Sequence, residues 1–198
     1  ISSTAAVDWI AGGGLALGAP VTIASSGAAT KIITALQATN AFTVEAWVKP
    51  ANTTQNGPAR IVTCSTAPYV TQNFMLGTGH WGGSPTDVVD ARLLGDTLTS
   101  PAGSLTTNLT HLVFTRASSG ATKIYIDGAL QYSTTVSGDF ANWDKSFPLA
   151  LGNEPTGDRP WQGEMHRVAI YDRALSSTEI VVNYEASPVD SDDSQTIV

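Results

Sequence analysis

The stretch Phe42-Thr-Val-Glu-Ala-Trp-Val-Lys-Pro50 decides the fold class of this chain. Apolar residues from Phe42 to Val48 occupy every second position, and Trp47 falls among the positions between them. A period of two predicts a β-strand with one face on a core. Because Trp47 is on the other face, we expect that face to be covered too, as two stacked sheets would do.

The rest of the chain repeats this pattern of a short apolar run followed by a turn. Ser118–Thr122 and Asp127-Gly128 are turn sequences that predict a three-stranded meander from His111 to Val136. Many short strands separated by turns predict an all-β fold, an antiparallel sandwich of two sheets. The predicted strands are Val21–Ala24, Phe42–Lys49, Arg60–Cys64, Asn73–Gly79, Val88–Leu94, His111–Ala117, Lys123–Asp127, Leu130–Val136, Leu149–Leu151 and Gln162–Tyr171.

One short C-terminal helix is predicted at Ser177–Ala186. Ser176 followed three residues later by Glu179 forms a capping-box pattern, and an apolar stripe follows. The polar, acidic residues 187–198 are predicted to be a linker or tail. We therefore expect one domain over residues 1–186.

Charge and composition restrict the classes of partner. The chain has 198 residues and a net charge of −7, with 17 acidic and 10 scattered basic residues. Nucleic-acid binding needs a concentrated basic surface, so we expect no nucleic-acid partner. The sequence contains no run of about 18 apolar residues, so we expect no membrane insertion. The start Ile1-Ser-Ser-Thr4 suggests a segment of a longer protein. A lone Cys64 in a strand predicts a buried, inert thiol.

Several of these motifs, in order, resemble the concanavalin A-like lectin/glucanase superfamily, and more closely its bacterial laminin-G-like (pentraxin-type) branch. The resemblance covers roughly residues 15–186 and rests on the Phe42 strand, the pair His111–Arg116 and Ile124–Gly128, and Trp161-Gln-Gly163 followed by Val168–Leu175. It implies a jelly-roll sandwich whose Gln162–Tyr171 strand crosses the core and pairs near the first strand, with the helix packed at one end. It also implies a secreted or surface module that binds glycan, binds protein or acts as a spacer.

The resemblance also allows a test for catalysis. Glycanases of the superfamily carry three alternating carboxylates on one strand, and glycoside hydrolysis needs a pair. Here Glu164-Met-His166-Arg-Val168 keeps only the first of them. We therefore expect a non-catalytic domain.

Calcium is a possible cofactor implied by the resemblance. In calcium-binding laminin-G-like domains the ligands precede the strand that begins near the histidine and lie in the loop before the penultimate strand. Asn108 and the pair Asn142 and Asp144 occupy these positions, and Asp158 lies in a second oxygen-rich loop. Calcium prefers six to eight oxygens and is held more tightly by carboxylates, so Asn108 in place of an acid would weaken the site.

Sugar sites combine an aromatic ring with planar polar groups. Three loops offer this mixture: 79–83, 141–144 and 153–161, the last two of which could meet at one rim. The carbohydrate-binding candidates are His80, Trp81, Asn142, Trp143, Asn153, Glu154, Asp158 and Arg159. Trp143 fits the core equally well, whereas Trp9, Trp47 and Trp161 are predicted to be packing residues. Arg92 is predicted to form a surface ion pair with Asp90 or Asp96.

These observations favour a non-catalytic extracellular module, lectin-like or adhesive, that binds a glycan or cell-surface polysaccharide within a larger bacterial protein. One alternative is a spacer or protein-interaction domain that contacts other domains of the parent protein. A second alternative is a glycoside hydrolase.

Overall fold

A computed structural model describes residues 1–67 and 71–188 and shows the predicted antiparallel sandwich. A 3-10 turn at Thr4–Ala6 precedes the strands and two helices. The elements, in chain order, are β1 (Val7–Trp9), β2 (Leu15–Leu17), β3 (Ile23–Ala24), α1 (Thr30–Thr39), β4 (Phe42–Pro50), β5 (Ala59–Ala67), β6 (Thr71–Thr78), β7 (Val89–Leu93), β8 (Asp96–Thr99), β9 (Thr110–Arg116), β10 (Ala121–Ile126), β11 (Ala129–Thr135), β12 (Leu149–Leu151), β13 (Gly163–Tyr171) and α2 (Ser177–Glu185).

The strands form two sheets with the core between them. Sheet A has seven strands in the order β1-β2-β13-β4-β9-β10-β11, and sheet B has six in the order β3-β12-β5-β6-β7-β8. Phe42 of sheet A packs against Phe74 of sheet B with ring centroids 5.6 Å apart, and against Phe114 at 5.1 Å. The aromatic centre of the core thus joins the two layers.

The deciding strand, β4, behaves as its alternation predicts. Phe42 and Val44 lie fully buried between the sheets, whereas Trp47 points to the outer face of sheet A and is only 3% exposed. The prediction that this outer face is covered is confirmed. The cover is α2, however, and not a second sheet, since Tyr184 of α2 stacks on Trp47.

Helix α2 forms where its capping box predicts. The Ser176 side chain accepts a hydrogen bond from the Glu179 backbone, and the Glu179 carboxylate accepts one from the Ser176 backbone. Ile180 buries its side chain in a cluster with Val113 and Tyr125 of sheet A. The expectation that the helix packs at one end of the sandwich is therefore wrong. It lies on the outer face of sheet A because its apolar partners are there.

Helix α1 and three short strands were not predicted. Helix α1 begins without a side-chain cap at Ala29 and ends at Asn40 in the left-handed conformation, and Ile33 and Leu36 anchor it in the core. Strands β1, β2 and β8 are three or four residues long. The predicted strand at Val21 is reduced to β3. Packing against the core stabilises these elements, and local sequence carries little signal of it.

The meander is confirmed, with β9, β10 and β11 paired in sequence and Asp127-Gly128 at positive φ in the second turn. β13 pairs with β2 and β4 of sheet A, whereas β3, at the first predicted strand, pairs with β12 in sheet B. Cys64 is buried, and burial raises the pKa of its thiol to about 12. No helix in the described part of the chain is long and apolar enough to cross a membrane. Residues 189–198 of the predicted tail lie outside the described residues.

Candidate functional site

Trp81 lies in a glycine-rich loop that joins β6 to β7. Gly79, Gly82 and Gly83 all adopt positive φ, a conformation that costs glycine least. Backbone hydrogen bonds fix the turn, from His80 N to the Pro85 carbonyl at 3.1 Å and from Gly79 N to the Val88 carbonyl at 2.9 Å. The turn holds Trp81 outward, 56% exposed.

The loop between β12 and β13 meets Trp81 at the same place. The Arg159 guanidinium carbon lies 5.1 Å from the centroid of the Trp81 ring, a cation–π geometry. The Asn153 side-chain oxygen shapes this loop by accepting hydrogen bonds from the backbone N–H of Glu154 and of Arg159, both at 2.9 Å. Loops 79–83 and 153–161 are thus in contact, although 70 or more residues separate them.

Four of the predicted sugar-binding residues form one surface, which we call the Trp81 rim: His80, Trp81, Asp158 and Arg159. Asp158 is exposed, accepts a hydrogen bond from the Thr156 hydroxyl at 2.6 Å and pairs with Arg159 at 3.5 Å. The opposite charges of Asp158 and Arg159 cancel. The rim therefore offers an aromatic surface beside donors and acceptors, with no strong net charge.

A buried carboxylate supports the rim from beneath. Asp90 of β7 alternates with core residues, so it points to the outer face of sheet B, where it is fully buried. Its two oxygens contact His80 Nδ1 at 3.3 Å and Arg92 Nε at 3.2 Å. Burial raises the pKa of Asp90, while the charge of Arg92 opposes the rise. The predicted Arg92–Asp90 pair exists, but it is buried and anchors the residue before Trp81.

Glu154 and Asn153 do not belong to the rim, which corrects two predicted sugar contacts. Glu154 is fully buried, 2.8 Å from Arg60 Nε in an ion pair, and it accepts a hydrogen bond from the Ser65 hydroxyl. Burial lowers the pKa of Arg60, and Glu154 offsets that effect. Asn153 is 2% exposed, and its oxygen is used by the loop backbone. Both residues hold the loop in shape.

Trp143 is a core residue, and the prediction that it lines a sugar pocket is wrong. It is 6% exposed and stacks on Phe140 with centroids 3.9 Å apart. Its loop is tied to Asn73 at the start of β6 through the Asp144 backbone, whereas Trp81 follows the end of β6. Six residues of strand separate Asn73 from Gly79, about 20 Å. Exposed Asn142 therefore lies at the end of sheet B opposite the Trp81 rim.

A family model for the concanavalin A-like lectin/glucanase superfamily, of laminin-G type, matches residues 23–181. The chain belongs to this superfamily. The predicted resemblance is thereby confirmed, together with the all-β jelly-roll class. No curated relative matches the sequence.

Solved structures with the same fold include three carbohydrate-associated domains. Domain 4 of a GH43 extracellular arabinanase from Geobacillus stearothermophilus, in complex with arabinotriose, is 23% identical with a TM-score of 0.54, covering 73% of this chain and 66% of that one. A putative carbohydrate binding protein from Bacteroides ovatus is 22% identical with a TM-score of 0.56, covering 72% and 40%. The chain thus spans less than two thirds of either protein's length.

The third neighbour is similar over its whole length. The CBM40 domain of the Ruminococcus gnavus IT-sialidase, bound to α2,3 sialyllactose, is 14% identical with a TM-score of 0.60, covering 84% of this chain and 99% of that one. At this identity the likeness concerns the fold. The three neighbours therefore share the sandwich fold with this chain.

The superfamily's calcium arrangement is not assembled from the predicted ligands. Asn108 precedes β9 beside the end of β4, whereas Asn142 and Asp144 lie at the far end of sheet B. The Asp144 carboxylate is turned to Ser146, whose hydroxyl and backbone N–H lower its pKa. Asp158 pairs with Arg159. Among the described residues no three acidic, histidine or cysteine side chains form a metal cluster. The four residues do not fit one ion, and calcium dependence stays a prediction.

Glu164, the first carboxylate of the superfamily's catalytic pattern, faces outward from sheet A. It pairs with Lys49 Nζ at 3.4 Å and with His166 Nε2 at 3.3 Å, and it lines a shallow groove of about 360 Å³. Its ionic partners are therefore a lysine and a histidine. Hydrolysis of a glycosidic bond needs a second carboxylate instead. This geometry favours the non-catalytic interpretation.

Proposed function

We propose that this domain is a non-catalytic carbohydrate-binding module of an extracellular bacterial protein, and that the Trp81 rim contacts the glycan. The coarser part, a lectin-like fold shared with carbohydrate-binding modules, rests on the superfamily match. The site, the extracellular placement and an adhesive role are the proposed part.

The observation that carries the proposal is the exposure of Trp81 beside Arg159. Trp81 is 56% exposed although burial of so large a ring would stabilise the fold. The glycine turn and Arg159 instead hold it at the surface. An ordered, exposed indole can stack on the apolar face of a sugar ring, and the neighbouring polar groups can bind its hydroxyls.

The composition of the rim favours a sugar that is hydroxyl-rich and neutral at the contact point. Arg159 and Asp158 offer donors and acceptors side by side, and their charges cancel. His80 adds a polar ring whose side chain is partly exposed. The ligands named for the neighbours, arabinotriose and α2,3 sialyllactose, provide suitable first probes of a neutral and an acidic oligosaccharide.

The two alternatives predict different results in one experiment, a glycan array run with calcium and again with chelator. Binding that survives chelator would support the rim acting without metal, and loss of binding would implicate calcium. A blank array would favour the spacer or protein-interaction domain. Products released from a bound oligosaccharide would favour the glycoside hydrolase.

Trp81→Ala tests the site itself, with Trp9→Ala as the matched control. The prediction that Trp9 is a packing residue is wrong, since it is 85% exposed on β1, the outermost strand of the other sheet. We expect Trp81→Ala to abolish array binding and Trp9→Ala to preserve it. If Trp81→Ala binds the array as well as Trp9→Ala does, the glycan site lies elsewhere.

A further inference from the structure

A buried carboxylate joins α2 to sheet A. Glu45 of β4 points to the outer face of the sheet, and its side chain is 1% exposed. One oxygen accepts a hydrogen bond from His111 Nε2 at 2.9 Å, and the other accepts from the Tyr171 hydroxyl at 2.8 Å and from the Asn183 amide at 2.9 Å. Because Asn183 belongs to α2, this carboxylate ties the helix to three strands.

Aromatic rings form the second layer of the same contact. The His111 ring stacks on Trp47 with centroids 4.8 Å apart, and Tyr184 of α2 lies parallel to Trp47 at 5.9 Å. His111 Nδ1 is buried and has no hydrogen-bond partner among the described residues. The imidazole therefore depends on Glu45 for its one polar contact there.

The arrangement requires an ionised carboxylate. An ionised carboxyl group only accepts hydrogen bonds, whereas a protonated one presents an O–H and loses acceptor capacity. A neutral Glu45 cannot accept from three donors as strongly, and any donor left unpaired in this buried place is costly.

We propose that α2 is an acid-released latch: protonation of Glu45 breaks its contacts with His111, Tyr171 and Asn183 and frees the helix from sheet A while the sandwich stays folded. The proposal is independent of glycan binding. The apolar contacts of Ile180 and the stacking of Tyr184 on Trp47 are then the attachment that remains.

The direction of the pH effect follows from the pKa of Glu45. Burial raises this pKa, but the hydrogen bonds from His111, Tyr171 and Asn183 and the charge of His111 lower it by more, so the net shift is downward from 4.5. A lowered carboxylate pKa stabilises the docked form above about the unfolded value, and this stabilisation is lost as pH falls through the folded value. Release is therefore expected only as pH falls through the lowered pKa of the docked form, which lies below 4.5.

The charged and titratable groups around Glu45 come from each element packed against it. They are His111 of β9, Tyr171 of β13 and Tyr184 of α2. Burial and Glu45 raise the pKa of Tyr171, and the charge of Arg167 opposes the rise. Asp127 accepts a hydrogen bond from the His111 backbone at 2.8 Å. The test must therefore isolate Glu45 from these neighbouring groups.

Hydrogen exchange of the intact domain, followed by mass spectrometry at about pH 7 and about pH 3.5 and corrected for intrinsic rates, tests the latch. In the wild type, α2 amides should lose protection by roughly tenfold or more at the lower pH, as expected for a lost hydrogen bond to a charged group. Amides of β4 and β9 should stay protected.

Glu45→Gln and Glu185→Gln separate the latch from general acid effects. Glu45→Gln cannot change charge, so α2 should be equally and weakly protected at both pH values. Glu185→Gln removes a carboxylate at the exposed end of α2 and should retain the wild-type response. The proposal is overturned if α2 stays protected in acid, if α2 and the core strands open together, or if Glu45→Gln keeps the wild-type acid response, which would assign that response to a group other than Glu45.

Discussion

The molecule contains two groups of tryptophan, histidine and carboxylate with opposite surroundings. In the first, Trp47, His111 and Glu45 lie beneath α2, and Trp47 is 3% exposed. In the second, Trp81 follows His80, which contacts Asp90, and Trp81 is 56% exposed. The same residue types form a closed internal network on sheet A and an open rim on sheet B.

Residue composition alone therefore does not identify a binding site in this fold. Helix α2 supplies a ring and an amide to the first group, so its aromatic and polar capacity is used within the protein. In the second group only the carboxylate is buried, and it orders the residue that precedes an exposed indole. What covers each group decides its role.

Alanine at each tryptophan should separate the two roles most strongly. Trp47→Ala removes a buried ring from beneath α2 and should cost about 3–5 kcal/mol of unfolding free energy. Trp81→Ala should cost less than about 1 kcal/mol, because most surface substitutions have small effects. Urea unfolding of both variants measures the difference. Similar losses of unfolding free energy in Trp47→Ala and Trp81→Ala would contradict the distinction between a buried packing ring and an exposed one.

Two acids in one loop provide the next test. Glu154→Ala leaves Arg60 as an unpaired buried charge and should cost about 3–5 kcal/mol of unfolding free energy. Asp158→Asn alters an exposed pair with Arg159 and should cost about 0–1 kcal/mol. Thermal and urea unfolding would check this. A mild Glu154→Ala would mean that the pair contributes little to holding the rim loop.

The two buried carboxylates, Glu45 and Asp90, should make the unfolding free energy change with pH in opposite directions. We expect this effect to be smaller than the two described above. The lowered pKa of Glu45 makes its contribution to stability rise with pH below about 4.5, whereas the raised pKa of Asp90 makes its contribution fall as pH rises above 3.8. Glu45→Gln should therefore flatten the gain in stability with pH, and Asp90→Asn should steepen it. Urea unfolding between about pH 3.5 and 7 measures both slopes, and changes of the same sign would contradict this account.

Sequence predicted the elements whose signals are local. The alternation in β4, the Asp127-Gly128 turn and the Ser176–Glu179 capping box each fix their own element within a few residues. Helix α1 was not predicted because its threonines and isoleucines are weak helix formers and because its N-cap residue, Ala29, makes no side-chain hydrogen bond to the helix. Its stability comes from packing that sequence does not display.

The site was predictable only in part, since its contacts join distant segments. His80 and Trp81 were identified from an aromatic residue among glycines, and Arg159 from a polar loop, but the contact between them depends on strand order in sheet B. Glu154 and Arg60 are 94 residues apart, so their burial could not be inferred from either neighbourhood. The prediction that Trp143 lines a sugar pocket was wrong for the same reason, because the aromatic partners of Trp143 come from both sheets.

Titration calorimetry with a glycan that binds the wild type, repeated with Trp81→Ala and Trp9→Ala, shows whether the glycan binds at the Trp81 rim. We expect Trp81→Ala to weaken binding by roughly thirtyfold or more, the loss expected for a central aromatic contact. Trp9→Ala should bind as the wild type does. Wild-type affinity in a folded Trp81→Ala variant would contradict the assignment of the rim as the glycan site.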